Sequence, residues 1–292
     1  MDWNSRRITS ILENALLEDR ATRDATSYAC IDPGQRASGT IVVKQECVLA
    51  GLGVLLKILE VYAALDGAVT SHPEVISHPE IFDGVRVHAG QPIAVIRHNA
   101  RVILSCERVM LNFLQRLSGI ATLTRKFVDA IAGTRARILD TRKTSPGLRM
   151  MEKYAVRCGG GQNHRLDLSD GVMIKHNHIA LAGGIVPALV HAHRNRRGIQ
   201  PIEVEVRSLE ELQQALSHGA EAILLDNMRV EDVKRAVEIC AGADRRIPLE
   251  CSGGITLENV RSYAETGVDF LSVGALTHAA PAVDMSLRMV PA

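Results

Sequence analysis

The sequence predicts an α/β protein: an irregular, incomplete (β/α) barrel preceded by an α+β N-terminal domain. Three observations carry that prediction. The second half of the chain repeats a strand-then-helix unit, the serial pattern of a parallel sheet. The chain is 46% hydrophobic but only 3% aromatic, so its core is built from Leu, Ile, Val and Ala, which suits parallel strands covered by helices. Polar residues stand at the carboxyl ends of six strand candidates: Asp140–Lys143, Lys175, Glu205, Asp226, Ser252–Gly254 and Gly274. A barrel gathers such ends around one mouth, whereas an open sheet gathers only those beside its switch point.

The elements follow in order. A helix is expected over Arg6–Glu18, a strand over Thr40–Val43, an apolar helix over Leu52–Leu65, and short strands within residues 83–96. This is an α+β layout without βαβ regularity. A long helix over Cys106–Ala132 carries Leu111, Leu114, Leu117, Ile120, Leu123, Phe127 and Ile131 at three- and four-residue intervals, one buried stripe. Ser105 is its expected N-cap and Arg108 falls in its first turn. The later strand candidates are Arg137–Leu139, Val172–Ile174, Ile202–Val206, Ala222–Leu225, Ile247–Leu249 and Phe270–Val273. Helical patterns cover Ile185–Arg197, Leu209–His218, Val230–Ala241 and Leu257–Thr266. Ser208 with Glu211 forms a capping-box signature, and Gly219 ends that helix. Six strands rather than eight make the barrel incomplete. The expected boundaries are residues 1–115 for the N-terminal domain and 116–275 for the barrel, with the tail 276–292 packing back on the former.

Composition excludes several classes. The 292 residues carry a net charge of +1 and a pI near 7.7, too neutral for a nucleic-acid-binding face. The N-terminus lacks an apolar h-region, and the most apolar window, Gly51–Val69, is interrupted by Lys57, Glu60 and Asp66. No membrane segment is expected. Six scattered cysteines without a CxxC pair read as reduced thiols of a cytoplasmic protein.

Charge is concentrated in one place. Between Asp140 and His178 seven Lys/Arg face four acids, a net of +3 inside a chain of +1. Arg142, Arg165 and Lys175 occupy three strand-end or loop positions that a barrel brings together. Clustered cations repel one another unless an anion joins them, and Arg presents a fork matching carboxylate or phosphate. Structural ion pairs with Asp167, Asp170 or Glu152 are the competing reading. Ser252-Gly-Gly and Val273-Gly-Ala follow the last two strands, where barrels bind phosphate through backbone N–H groups; each is equally a simple turn. Gly159-Gly-Gly fits either a close backbone approach to a ligand or a loop. Glu203 and Glu205 share one face of a strand, and Asp226 ends the next. Such carboxylates hold magnesium, bind ribose hydroxyls or act as acid or base, while Glu203 can equally pair with a cation inside the barrel. His176/His178 and His191/His193 have the H-x-H form, but no Cys or His set completes a zinc site.

With these residues assembled, the chain resembles the nicotinate-nucleotide pyrophosphorylase, or quinolinate phosphoribosyltransferase, family. The resemblance rests on ERVMLNFLQRLSGIAT, ILDTRKTSPGLR, EKYAVRCGGGQNHRLDLSDGVMIKHNH, IEVEV, ILLDNM, ECSGGITLENV and GVDFLSVGALTHAAP, spanning Glu107 to Pro281. The first hundred residues match more loosely, and His176 stands where the family usually has an acid. The resemblance implies conversion of quinolinate and phosphoribosyl pyrophosphate to nicotinate mononucleotide, pyrophosphate and carbon dioxide, a step of de novo NAD biosynthesis, with magnesium as cofactor. It implies Arg108, Arg142, His164, Arg165 and Lys175 on the quinolinate side, with Thr141 also binding substrate. It implies Lys143, Ser252, Gly253, Gly254, Val273, Gly274 and Ala275 on the phosphoribosyl side. Lys143, Glu205 and Asp226 take the catalytic roles, the two acids engaging ribose hydroxyls and magnesium. It also implies a homodimer or higher oligomer in which Arg108 comes from the neighbouring subunit.

Two other readings compete. One is an aldolase-like barrel with Lys175 as Schiff-base nucleophile. The other is a phosphoribosyl or anion-binding barrel without turnover, related to a molybdenum-transport protein. Glu205 and Asp226 weigh against the second, since anion binding alone does not need them.

Overall fold

Ile8, Leu12 and Leu16 recur every fourth residue and put one stripe of the first helix fully inside, each contributing about 1.5–3 kcal/mol by burial. The computed structural model describes residues 1–67, 72–198, 201–243 and 245–292, so the last two residues of the Gly51–Val69 window lie outside it. Along the chain run α1 (Arg6–Glu18), α2 (Ala25–Cys30), β1 (Arg36–Val43), β2 (Cys47–Val48), α3 (Gly53–Asp66), β3 (Glu74–Ile76), β4 (Arg86–Val87), β5 (Pro92–Asn99) and α4 (Ala100–Ala130). There follow β6 (Arg137–Leu139), α5 (Arg149–Cys158), β7 (Val172–Ile174), α6 (His176–Ala182), α7 (Ile185–Asn195), β8 (Ile202–Val206) and α8 (Leu209–Ser217). The chain continues through β9 (Ala222–Asp226), α9 (Val230–Ala241), β10 (Leu249–Ser252), α10 (Val260–Ala264), β11 (Phe270–Ser272), α11 (Ala275–His278) and β12 (Met285–Pro291).

Two compact units divide these elements. The first comprises Met1–Leu123, Ser145–Gly160 and Ala279–Ala292. Its antiparallel sheet has the order β12-β1-β5-β3, with β1 between β12 and β5. In this unit α1 packs against α3. Gly119 sits inside α4 because the segment after Ala279 crosses there: a Cβ at 119 would lie 2.0 Å from the Pro281 carbonyl oxygen. The crossing is held by Val283 N–H donating to Gln115 O at 3.1 Å and by Arg116 donating to Ala280 O at 3.0 Å.

The second unit comprises Thr124–Thr144 and Gly161–His278. Its six strands are all parallel, in the order β6-β11-β10-β9-β8-β7. Asp226, Ser252 and Ser272 share one rung across β9, β10 and β11, so the strand ends are level where polar residues begin.

Several expectations shift. The long helix starts at Ala100 instead of Cys106, so Ser105 is an interior residue whose hydroxyl donates to Asp24 at 3.2 Å. Asn99 does the capping, its Oδ1 accepting from Arg101 N–H at 3.0 Å. β10 begins at Leu249, after Pro248, which lacks an N–H for the ladder. The helix expected over Leu257–Thr266 is only Val260–Ala264. Ser208 caps α8 by accepting from Glu211 N–H at 3.2 Å, but the Glu211 carboxylate takes Arg207 N–H at 2.7 Å, one residue earlier than a capping box requires. Residues 149–158 form α5, a helix absent from the sequence reading. They belong to the first unit, although the boundaries drawn from the sequence assign them to the barrel. Among the described residues the six cysteines are free thiols, with Cys30 exposed and Cys158 half-buried. No helix among them is long and apolar enough to cross a membrane.

Candidate active site

Asp140 organises one wall of the barrel mouth. Its fully buried carboxylate follows β6 and accepts from His164 N–H at 2.9 Å and from the Asn163 side chain at 2.6 Å. The loop carrying His164 and Arg165 is thereby fixed to a strand end. Thr141, Arg142 and Lys143 come next in the chain, and the Lys143 carbonyl accepts from the Thr277 hydroxyl at 2.7 Å. Across the mouth Gly274 leaves room for Lys143, since a Cβ there would lie 3.1 Å from its Cδ.

A cavity of about 560 Å³ opens at these ends. Thr141, Arg142, Lys143, His164, Arg165, Lys175, Glu205, Asp226, Ser252, Gly253, Gly254, Val273, Gly274 and Ala275 all line it. Arg108 does not. It lies on α4 in the first unit, exposed, and lines a separate cavity of about 380 Å³ with Glu18, Asp19 and Arg116.

The acids at the mouth are tied to cations. Lys175 Nζ donates to Glu205 at 3.2 Å, and His176 N–H approaches the same carboxylate at 3.3 Å. Arg207 sits between the two carboxylates, with Nε 3.1 Å from Asp226 and a terminal nitrogen 3.7 Å from Glu205. Lys175 is therefore an ion-paired group rather than the desolvated amine that Schiff-base chemistry requires. Glu152, the structural ion-pair candidate of the cationic segment, is fully buried and pairs with Arg116 at 2.9 Å, outside the mouth. Burial and the neighbouring Arg142 charge lower the Arg165 guanidinium from its ordinary value.

Beneath the mouth His164 meets two more acids. Its Nε2 lies 3.1 Å from Glu250 and 3.5 Å from Glu203. Burial would lower the imidazole, but hydrogen bonding to Glu203 and Glu250 outweighs it and pushes His164 up to about 10. Burial, with the nearby Glu250 charge, raises the Glu203 carboxyl. Arg165 N–H faces Nδ1 at 2.7 Å, while Nε2 faces the two acids. Glu203 thus does pair inside the barrel, with His164 as its partner.

Sequence reasoning missed Glu250, Arg207 and Asn227. Asn227 has φ of 55° and its amide donates to Asp226 at 3.0 Å. The signal for it was the D-N pair after a strand, Asn being among the few residues that tolerate the left-handed region.

Two family descriptions match the chain: Quinolinate phosphoribosyl transferase, N-terminal domain, over residues 24–118, and its C-terminal domain over residues 120–288. The chain belongs to the quinolinate phosphoribosyl transferase family. It is 45% identical to the nicotinate-nucleotide pyrophosphorylase [carboxylating] of Mycobacterium leprae over 282 residues, 95% of each chain. It is 42% identical to the probable nicotinate-nucleotide pyrophosphorylase [carboxylating] of Bacillus subtilis, over 97% of this chain and 94% of that one. Among solved structures, NadC from Streptococcus pyogenes superposes with a TM-score of 0.91 at 37% identity, covering 100% of this chain and 99% of that one. The family's architecture is therefore this fold, with an antiparallel-sheet unit and a six-stranded parallel barrel.

Proposed function

We propose that the chain transfers the phosphoribosyl group of phosphoribosyl pyrophosphate to the ring nitrogen of quinolinate, releasing pyrophosphate and carbon dioxide and forming nicotinate mononucleotide. The observation that carries this reading is the mouth itself: three cations for a dicarboxylate, two Gly-bearing strand ends for phosphates, and two acids between them share one cavity. De novo NAD biosynthesis is the route that consumes such a step.

The residues divide by chemistry. Arg142, His164, Arg165 and Lys175 face the pyridine dicarboxylate, the arginines through charge-assisted hydrogen bonds. Thr141 lies beside them. Lys143 meets the leaving pyrophosphate. Ser252, Gly253, Gly254, Val273, Gly274 and Ala275 offer backbone N–H groups to the phosphoribosyl phosphates. Glu205 and Asp226 accept from the ribose hydroxyls and stabilise positive charge as it develops at C1.

In the reaction the C1–O bond breaks and its electron pair leaves with pyrophosphate, while the ring nitrogen's pair forms the new C1–N bond. The pyridinium so formed draws in the pair left when the C2-carboxylate departs as carbon dioxide, and C2 then takes a proton. No covalent enzyme intermediate is needed; the side chains orient, desolvate and place charge.

The donor set fits magnesium: Glu205 and Asp226 offer only hard carboxylate oxygens at neighbouring strand ends, in a cavity that also admits phosphate. When bound, magnesium supplies charge neutralisation of the pyrophosphate. Arg108 completes the dicarboxylate side from a neighbouring subunit of a homodimer or larger oligomer, and the protein works in the cytoplasm.

The test is a direct assay with quinolinate, phosphoribosyl pyrophosphate and magnesium, following nicotinate mononucleotide and carbon dioxide. Turnover of nicotinate but not of quinolinate would overturn the decarboxylating reading.

A further inference from the structure

A second cavity of about 420 Å³ lies in the barrel unit. His164, Arg165, Met173 and Glu250 line both it and the mouth, so these side chains form the partition between the two spaces. Glu203 and Glu250 come from β8 and β10, and Glu250 stands on the same rung as Glu205 through Leu224. Glu250 is almost wholly removed from water, with 5% of its side chain exposed, and Glu203 largely so, with 14%. Acids in such a place are costly unless paired, and both are paired to the same ring nitrogen.

The geometry points to Glu203 and Glu250 as positioning residues of the dicarboxylate subsite: together they clasp His164 and keep its ring as the floor of the mouth. The inference rests on the reading given under Proposed function. The ring is gripped from both sides, Nε2 by the acid pair and Nδ1 by the Arg165 amide. The Arg165 guanidinium is steadied in turn by the Gly171 carbonyl at 3.3 Å and Met173 Sδ at 3.5 Å. Remove the acids and the ring has the second cavity to fall into. The mouth would deepen beneath the ligand's carboxylates while the phosphate side, at Ser252 and Gly274, stayed as it is.

The same three groups bring their ligand atoms within 4.8 Å of one another, a spacing that also suits a divalent metal. The acid pair speaks against that use: Nε2, the nitrogen a metal would need, already carries the proton it presents to Glu250 and Glu203.

The experiment compares Glu250→Leu and Glu203→Leu with Glu250→Gln and Glu203→Gln. Glutamine keeps an acceptor for the Nε2 proton, and leucine removes it. The leucine variants are expected to raise the KM for quinolinate about ten- to hundredfold, the scale of loss when a metal-bound histidine is deprived of the group that orients it. The KM for phosphoribosyl pyrophosphate stays within about twofold, and the glutamine variants recover most of the loss. In a His164→Ala background the leucine changes add nothing further, because their effect passes through the ring. Should a leucine variant fail to fold, Glu250→Ala and Glu203→Ala, which also remove the acceptor, give the same comparison. An unchanged quinolinate KM in an otherwise active leucine variant, or equal damage to both substrates, overturns the clasp and leaves the reaction standing. A wild-type chain that makes no nicotinate mononucleotide overturns the reaction and the clasp with it. A zinc-induced rise in the melting temperature that Glu250→Gln abolishes would assign the three groups to a metal instead.

Discussion

Arg207 Nε stands 3.1 Å from Asp226 Oδ2, and the same guanidinium reaches Glu205 at 3.7 Å. One chain-borne cation therefore occupies the space between the two acids proposed to meet ribose and magnesium. Its side chain is about half exposed, at 48%, so the contact is held loosely. An exposed pair of this kind is worth roughly 0.2–1 kcal/mol. Arg207→Ala is accordingly expected to lower the magnesium concentration for half-maximal activity by about two- to fivefold. Manganese binding in the presence of phosphoribosyl pyrophosphate, followed by electron paramagnetic resonance, should tighten in parallel. Unchanged binding would mean that Arg207 does not compete for these acids.

Arg165 offers a planar fork that lysine cannot reproduce. Arg165→Lys should raise the quinolinate KM by about ten- to hundredfold, in line with roughly 1.5–3 kcal/mol for a charge-assisted hydrogen bond. The far-ultraviolet circular dichroism should not change. Wild-type kinetics in the lysine variant would remove Arg165 from the ligand's first contacts.

Gly253 has φ of +94°, and a Cβ there would fall 2.2 Å from Asn227 Oδ1. Alanine at this position must strain its own backbone and displace the amide that donates to Asp226. The strain costs about 1–3 kcal/mol. Gly253→Ala should lower the melting temperature and raise the KM for phosphoribosyl pyrophosphate more than that for quinolinate. The opposite ordering of the two KM values would place the glycine turn on the wrong substrate.

If Arg108 works across a subunit boundary, two inactive chains can repair each other. Equal amounts of Arg108→Ala and Lys175→Ala, allowed to exchange subunits, should recover about a quarter of wild-type activity, one intact site in half of the dimers. Each variant alone stays inactive. Full exchange without recovery would confine the site to one chain.

The His164 cluster also makes stability depend on pH. Hydrogen bonding to Glu203 and Glu250, outweighing burial, holds the proton to about 10 in the folded state. An unfolded histidine releases its proton near 6.5. The folded state then binds more protons between these values, so the stabilisation is complete below about 6.5 and is lost as pH rises through about 10. The urea midpoint should fall across that window, and His164→Asn should flatten the decline. A midpoint that rises with pH in the wild type would contradict the assignment.

Local pattern accounts for most of what the sequence reading found. Period-two and period-3.6 runs located β7, β8 and α9 at or near their observed limits, and the polar strand ends located the mouth. What escaped depends on partners distant in sequence. Glu250, one residue past the strand expected over Ile247–Leu249, carries no signal of its own until β10 is set two strands from β8, where it meets His164. Arg207 looks like a solvated cation until β8 and β9 bring Glu205 and Asp226 to either side of it. The start of α4 was misplaced because Ser105, a good capping residue, lies near the true cap Asn99, and only tertiary packing decides between them.

The pairing of β12 with β1 has a consequence for how the molecule is made. β1 leaves the ribosome before the barrel, and the strand that covers its second edge is translated after every residue of the barrel. During synthesis that edge offers free N–H and C=O groups to any passing strand, the situation that favours swapped or aggregated products. Birth order and folding order are thus reversed: a unit begun before the barrel can be sealed only by a strand translated after it.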